Sequence, residues 1–377
     1  MNWRNGPTRE FDYVMALATV GLVVFGLLLI YSGTLNTWGS PWGSLSHPAS
    51  RQAAFAFLGV VAMIAAWRFE YRLLGPLSLA LYVLSIAGLL FVLAAGESEY
   101  GSRRWIDLGV TEVQPSEVAK VATIVLLAKF FSDNEQRMGS PRVFALSLGI
   151  AGLPAGLVLL QPDLGSALVF GVIWLATALM AGVRLYHLAA LGAAAAAAAP
   201  VVFTAVLQDY QIDRFRIWRD AESDPLGRGY QVLQAEISAG SGGFWGKGLT
   251  HGTQTQLDFL RTQTTDYIFS VGAEELGFAG MMVLFSLFVL LLFRCVRAAS
   301  VADDSFGRLL PVGVASFILF QAFVNVAVNI RLLPVTGVTL PLVSQGGSSL
   351  VTVMLALGLV QSVLGHRRRR GRSSSLA

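Results

Sequence analysis

Charge is what this chain has least of: only 13% of its 377 residues are Asp, Glu, Lys or Arg, against a hydrophobic share of 54%. A soluble domain carries about a quarter of its residues charged, so the apolar excess calls for a solvent other than water. Cysteine is almost absent. Cys295 stands alone, which excludes an intrachain disulfide and any cysteine metal cluster. Four histidines are scattered without metal-ligand spacing. No Walker loop, dinucleotide fingerprint, HExxH or nucleophile elbow occurs. Nucleotide hydrolysis and zinc-protease chemistry therefore have no foothold.

What is present is a succession of long apolar runs. They fall near 13–32, 52–68, 73–95, 115–131, 143–160, 165–183, 186–207, 267–293, 309–330 and 341–364, each about long enough to cross a bilayer as a helix. The first is a span rather than a signal segment. The reading is an all-α polytopic membrane protein of about ten transmembrane helices, occupying 1–365. A single long connection, 208–266, lies between the seventh and eighth spans and is expected outside the cytoplasm. Thirty-nine glycines fit close helix packing in lipid.

The net charge of +4 could suggest nucleic acid, but much of it sits in the tail 366–377, with Arg367 to Arg370 and Arg372. A basic cluster just past a span is a cytoplasmic anchor on anionic lipid, so no nucleic-acid partner is expected. The short loops place Arg4, Arg9, Arg68, Arg72, Arg137, Arg142, Arg184, Arg294, Arg297 and Arg308 on the tail's side. That bias puts both termini in the cytoplasm. Most cations on the opposite side gather in 96–114 and 208–266, among them Arg103, Arg104, Arg214 and Lys247. Topology does not need them there, and an anionic ligand would.

Within 208–266, Tyr230, Leu233, Gln234 and Ile237 recur at helical spacing, which predicts a short interfacial amphipathic helix. The run Gly240 to Gly248, with five glycines in all and Lys247 inside it, permits positive φ and close approach of its backbone to something. The seven alanines Ala193 to Ala199 read either as a close-packed seam or as a helix able to shift.

Ionisable residues at or inside the spans are functional candidates by default. Glu117 and Lys120 lie one turn apart on one helix face, a spacing that suits an ion pair. Its bland reading is glue for the bundle. Asp163 opens the sixth span on the same side and could join them. Asp266 opens the eighth. Taken alone it reads as an N-cap worth about 1 kcal/mol; beside a cationic, glycine-rich loop it is also placed to act as a general base. Of Glu274 and Glu275 further along, one is expected to cap or pair internally. Arg104 suits a phosphate oxygen pair and Trp105 the headgroup level; together they read equally as an interfacial anchor. His251, a lone histidine, reads as structural first.

The pattern of motifs resembles one family. Asp224-Pro225-Leu226-Gly227, Gly229-Tyr230-Gln231, Gly240-Ser241-Gly242-Gly243, Gly246-Lys247-Gly248 and His251-Gly252-Thr253-Gln254 are similar to the large outer loop of the SEDS proteins (shape, elongation, division and sporulation). Thr265-Asp266-Tyr267-Ile268-Phe269, Ala273-Glu274-Glu275-Leu276-Gly277, Arg104-Trp105, Gln114-Pro115-Ser116-Glu117 with Lys120, Gln161-Pro162-Asp163-Leu164-Gly165 and Leu333-Pro334-Val335-Thr336-Gly337 extend the match, as do Ser344 and Gly346-Gly347-Ser348-Ser349. The His-Gly-Thr-Gln segment looks like the elongation branch, RodA, more than the division branch, FtsW. Ala235, Arg261, Thr264, Thr339 and Gln345 depart from the usual pattern.

The resemblance implies a peptidoglycan glycosyltransferase of the bacterial cytoplasmic membrane that polymerises lipid II, with a class B penicillin-binding protein as transpeptidase partner. It implies that Asp266 is the catalytic residue, deprotonating an acceptor sugar hydroxyl while undecaprenyl pyrophosphate leaves. Arg104, Trp105, Glu117, Lys120, Asp163, Arg214, Lys247, His251, Gln254 and Ser344 are the expected substrate-binding residues. No cofactor is certain, and a divalent cation is possible. The rival functions are a lipid II flippase and a non-enzymatic scaffold of the cell-wall machinery.

Overall fold

The computed structural model describes residues 11–35, 43–44, 46–95, 97–99, 102–107, 112–201, 209–224 and 227–366. The basic tail beyond His366, together with Arg4 and Arg9, lies outside the described residues. So does the side chain of Arg103.

The chain is almost wholly helical. The long helices are α1 (Tyr13–Thr34), α2 (Pro48–Arg68), α3 (Leu74–Ala95), α4 (Pro115–Asp133), α5 (Pro141–Leu160), α6 (Leu164–Ala181) and α7 (Leu185–Val201). Three short helices follow, α8 (Asp209–Arg219), α9 (Arg228–Ser241) and α10 (Thr253–Gln256), and then α11 (Ile268–Val301), α12 (Ser305–Asn329) and α13 (Gly347–Gly365). Eight of the described helices are long and apolar enough to cross a membrane. Two expected spans fall outside that set. α4 carries Glu117, Lys120, Lys129 and Asp133 in nineteen residues, and α7 is shorter.

Local chemistry sets the helix starts. Asp12 caps α1 by accepting from Val14 N and Met15 N, and Asp304 caps α12 through Gly307 N. Prolines 48, 115 and 141 stand in the first turn of their helices, where a missing N–H leaves no bond unmade. α13 lies at the centre, packed along α2, and α12 contacts α4, α6 and α11. The large outward-facing side chains, such as Leu17, Phe57, Leu84 and Val289, are exposed, as lipid-facing residues of an integral membrane protein should be.

The end of the bundle that carries the long connection also holds a small antiparallel sheet, β1 (Glu97–Glu99), β2 (Ser102–Asp107) and β3 (Glu112–Val113), in the order β1-β2-β3. The apolar periodicity gave no sign of it. The opposite end is closed by polar latches: Arg294 pairs with Asp12, and Asp304 accepts from Tyr71 Oη at 2.7 Å and Arg72 Nε at 2.9 Å.

Two expectations change, one for 208–266 and one for the alanine run. The amphipathic helix exists as α9, but its buried face is Val232, Ala235 and Ser238, packed on α11, while Ile237 is exposed. A second helix, α8, precedes it. The alanine run forms no close-packed seam with the rest of the chain, since Ala193 to Ala198 are exposed.

Candidate active site

Asp266 stands in a run of turns just ahead of α11. It is not the helix's cap: that position is Tyr267, and no side chain there makes a capping bond. Among the described residues the Asp266 carboxylate has no hydrogen bond or ion pair, yet its main chain is held firmly. Asp266 O accepts from Asn325 Nδ2 at 3.0 Å and Asn329 Nδ2 at 2.8 Å. Thr265 O accepts from Ser344 Oγ at 2.6 Å, and Thr264 O accepts from Gln345 N at 2.9 Å. The residue is half-buried. Burial pushes its carboxyl up to about 6; the Arg214 and Arg104 charges act to lower it, and Asp163 acts to raise it. A carboxylate with that proton affinity matches a base working near neutral pH.

The charges around it come from three separate stretches of chain. Arg104 on β2 reaches the turn before α6, where Nε donates to Gln161 O at 2.9 Å, Nη2 donates to Pro162 O, and Nη1 lies 3.7 Å from Asp163 Oδ2. Asp163 caps α6 by accepting from Ser166 N at 2.9 Å, and it also accepts from Gln114 Nε2 at 3.4 Å. Arg214, on α8, lies over the Tyr210 ring at 5.7 Å and makes no ion pair among the described residues. Tyr210 Oη donates to Pro162 O at 3.3 Å. Between α8 and the segment 334–336 lies a shallow cleft of about 20 Å³, lined by Pro162, Tyr210, Arg214, Phe215, Pro334 and Thr336 among others. The buried Thr336 hydroxyl has no partner. An unpaired guanidinium facing an apolar cleft beside a free carboxylate suits an anionic headgroup with an oily tail.

Glu117 and Lys120 do form the expected pair, 2.7 Å apart, with side chains only 5% and 1% exposed. Ser349 Oγ of α13 donates to the other Glu117 oxygen at 3.2 Å. Asp163 does not join this pair; it belongs with Arg104 and Gln114. Trp105 is half-buried on β2.

The glycine-rich loop presses its backbone against α11. α11 breaks at Gly277, whose φ of 64° and ψ of −168° are not helical. The loop backbone fills the break: Lys247 N donates to Glu274 O at 3.0 Å, Gly248 N to Glu275 O at 2.9 Å, and Phe278 N to Gly243 O at 2.9 Å. A Cβ on Gly246 would come within 2.2 Å of Glu275 O, so only glycine allows the approach. Lys247 Nζ pairs with the fully buried Glu274 at 2.8 Å. Glu274 also accepts from the side chains of Ser238, Thr253 and Thr255 and from Gln254 N and Thr255 N. His251 Nδ1 lies 2.8 Å from Leu249 O, and the Gln254 amide oxygen is buried without a partner. Lys247 and Gln254 thus meet Glu274, not Asp266, and His251 belongs to the same loop.

The sequence reading missed Asn325 and Asn329. The signal available was Gln321, Asn325 and Asn329 at a spacing of four on an otherwise apolar helix, all buried.

A family model described as cell cycle protein, covering FtsW, RodA and SpoVE, matches residues 13–369. The peptidoglycan glycosyltransferase MrdB of Escherichia coli K12 is 35% identical over 364 residues, 97% of this chain and 96% of that one. Among solved structures, a peptidoglycan synthase complex that coordinates polymerization and crosslinking contains a chain similar at TM-score 0.79 and 32% identity, covering 94% of this chain and 97% of that chain. The rod shape determining protein RodA of Thermus thermophilus is similar at TM-score 0.69 and 29% identity, with 98% and 100% covered.

Proposed function

From the premise that this chain belongs to the FtsW, RodA and SpoVE family of cell cycle proteins, we propose that it is a peptidoglycan glycosyltransferase of the bacterial inner membrane that polymerises lipid II during cell elongation. Asp266 is its general base. The carboxylate takes the proton of an acceptor sugar hydroxyl, and that oxygen attacks the anomeric carbon of the donor. The bond from that carbon to the diphosphate oxygen breaks, and undecaprenyl pyrophosphate leaves with the electron pair.

The observation that carries this reading is a carboxylate without a hydrogen bond or ion pair among the described residues, its carboxyl raised to about 6, standing in the field of Arg214 and Arg104. Arg214 is the cation free to meet the leaving diphosphate, and the neighbouring Tyr210, Phe215 and Pro334 offer an apolar surface for the chain that follows it. Arg104 and Asp163 shape the rim, and Trp105 stands with Arg104 on β2. Ser344 supports the Asp266 segment through Thr265 O. Glu117 and Lys120 form the polar floor. Lys247, His251 and Gln254 act at one remove, through the loop they hold against α11.

Among the described residues no three His, Cys, Asp or Glu side chains are grouped to hold a metal ion, and no step here is routed through one. Ten spans, counting α4 and α7 with the eight apolar helices, and both termini in the cytoplasm are part of this reading, which sets the site at the outer leaflet. A class B penicillin-binding protein would supply the crosslinking step.

The test is reconstitution. Purified protein given lipid II should yield glycan polymer, and Asp266→Ala should abolish it with the fold unchanged. Polymer formed by the alanine variant at the native rate would sink the assignment of the base.

A further inference from the structure

We propose that Asn325 and Asn329 of α12 are positioning residues for Asp266: both hold its main-chain carbonyl, and Asn329 caps α11 from a neighbouring helix, which leaves the aspartate's carboxylate out of that task. The inference rests on the reading of Asp266 as the base.

A helix start leaves its first N–H groups without acceptors, and an aspartate near the start is the usual remedy. Here the remedy comes from elsewhere. Asn329 Oδ1 accepts from Ser270 N at 3.0 Å and Ser270 Oγ at 2.7 Å, in the first turn of α11. The same amide donates through Nδ2 to Asp266 O and to Asn325 O, each at 2.8 Å. Asn325 Nδ2 donates to Asp266 O at 3.0 Å and to Val338 O at 2.9 Å. One carbonyl oxygen therefore receives two amide donors, both from side chains only 1% exposed.

The preceding carbonyls of Thr265 and Thr264 are bound by Ser344 Oγ and Gln345 N. With the peptide groups on both sides of the Asp266 Cα fixed, the direction of its Cα–Cβ bond is fixed too. The carboxylate is then delivered to one place without being bonded itself. Gln321 continues the same stripe. Ile124 faces Gly313 and Lys120 lies over Phe317, so the antiparallel helices α4 and α12 bring Gln321 level with Ser116 and Glu117. Buried amides on an apolar helix are costly unless they are bonded; Asn325 and Asn329 are bonded, whereas the buried Gln321 Oε1 has no partner among the described residues.

Simple glue between α11 and α12 would predict lost stability alone. The experiment compares Asn325→Ala and Asn329→Ala with Gln361→Ala, a fully buried amide that bonds Asp12 N and O at the opposite end of the bundle. For the two asparagine variants kcat for lipid II polymerisation should fall by about 10–100-fold, with KM changed less than about threefold, as misdirection of a base requires. Gln361→Ala should lose a similar amount of Tm and keep kcat within about twofold. Should Asn329→Ala fail to accumulate, Asn325→Leu, which removes two donated bonds and fills the space, carries the test.

A second readout does not need turnover: modification of Asp266 by a carbodiimide at pH 6, followed by peptide mass spectrometry. The asparagine variants should change that rate by at least about threefold, because the carboxyl's surroundings change. Unchanged kcat together with an unchanged labelling rate would overturn the proposal. A native protein that makes no polymer, while the variants still change the labelling, would instead remove the base reading and leave the clamp standing.

Discussion

Acidification should switch the enzyme off along a curve set by a single carboxyl. With Asp266 raised to about 6, the base form is about 97% of the population at pH 7.5, about half at pH 6 and about 9% at pH 5. Initial rates of lipid II polymerisation, at substrate well below KM, should therefore fall about tenfold between pH 7.5 and pH 5. The neighbouring charges then move the acid limb in opposite directions. Arg214 stabilises the ionised form, so Arg214→Gln raises the carboxyl further and shifts the limb to higher pH. Asp163 disfavours the ionised form, so Asp163→Asn shifts it to lower pH, while the amide oxygen can still accept from Ser166 N and keep α6 capped. Arg104 is a poorer probe, because its guanidinium also holds the Gln161 and Pro162 carbonyls. Arg214→Gln also lowers the overall rate if it meets the diphosphate, but the position of the limb is independent of its height. A flat profile from pH 5 to 8, or limbs that move the same way in both variants, would refute the electrostatic account of the base.

The remaining expectations concern stability and can be read by thermal unfolding in detergent. Gly277→Ala places a side chain at φ 64°, with its Cβ 2.2 Å from Gly246 N; a loss of about 3 kcal/mol or more is expected, and a Tm within a degree of native would show that the break in α11 is not rigid. Lys120→Met strands a buried carboxylate and should cost about 3–5 kcal/mol, whereas Glu117→Gln with Lys120→Met should recover most of that without restoring activity. Glu274→Ala leaves six donors from the loop, α9 and α10 without their acceptor and should cost about 3–5 kcal/mol. Lys247→Ala, which removes one of the six, should cost less, about 1–2 kcal/mol; a lost kcat with no lost stability would return Lys247 to the substrate.

Hydropathy located the membrane bundle because lipid makes a demand that every spanning residue answers locally. Most boundaries fall within a few residues of the helices, from 13–32 against Tyr13–Thr34 to 143–160 against Pro141–Leu160. The Glu117 and Lys120 pair was legible for the same reason: both partners lie on one helix, and spacing alone puts them together. Asp163, read as able to join that pair, meets Arg104 instead, which reaches it from a sheet that no apolar period announces.

Partnerships across the fold left weaker traces. The four glycines Gly240, Gly242, Gly243 and Gly246, with Gly248, signal a backbone pressed against something. The partner is the chain's own broken helix, and the clue was Gly277 inside an apolar run. Helix α11 could not stop its ladder in lipid with Glu274 O and Glu275 O exposed. Lys247 N and Gly248 N meet those carbonyls, and Lys247 Nζ meets the buried charge of Glu274. The loop's cation is thereby committed to structure, which leaves Arg214 as the cation without an ion pair among the described residues near Asp266. The division is physical: a charge can bind substrate only where the fold has not already neutralised it. By that criterion the motif richest in glycine and lysine builds the wall, and an arginine on a short helix that no motif marked is the group that can answer a diphosphate.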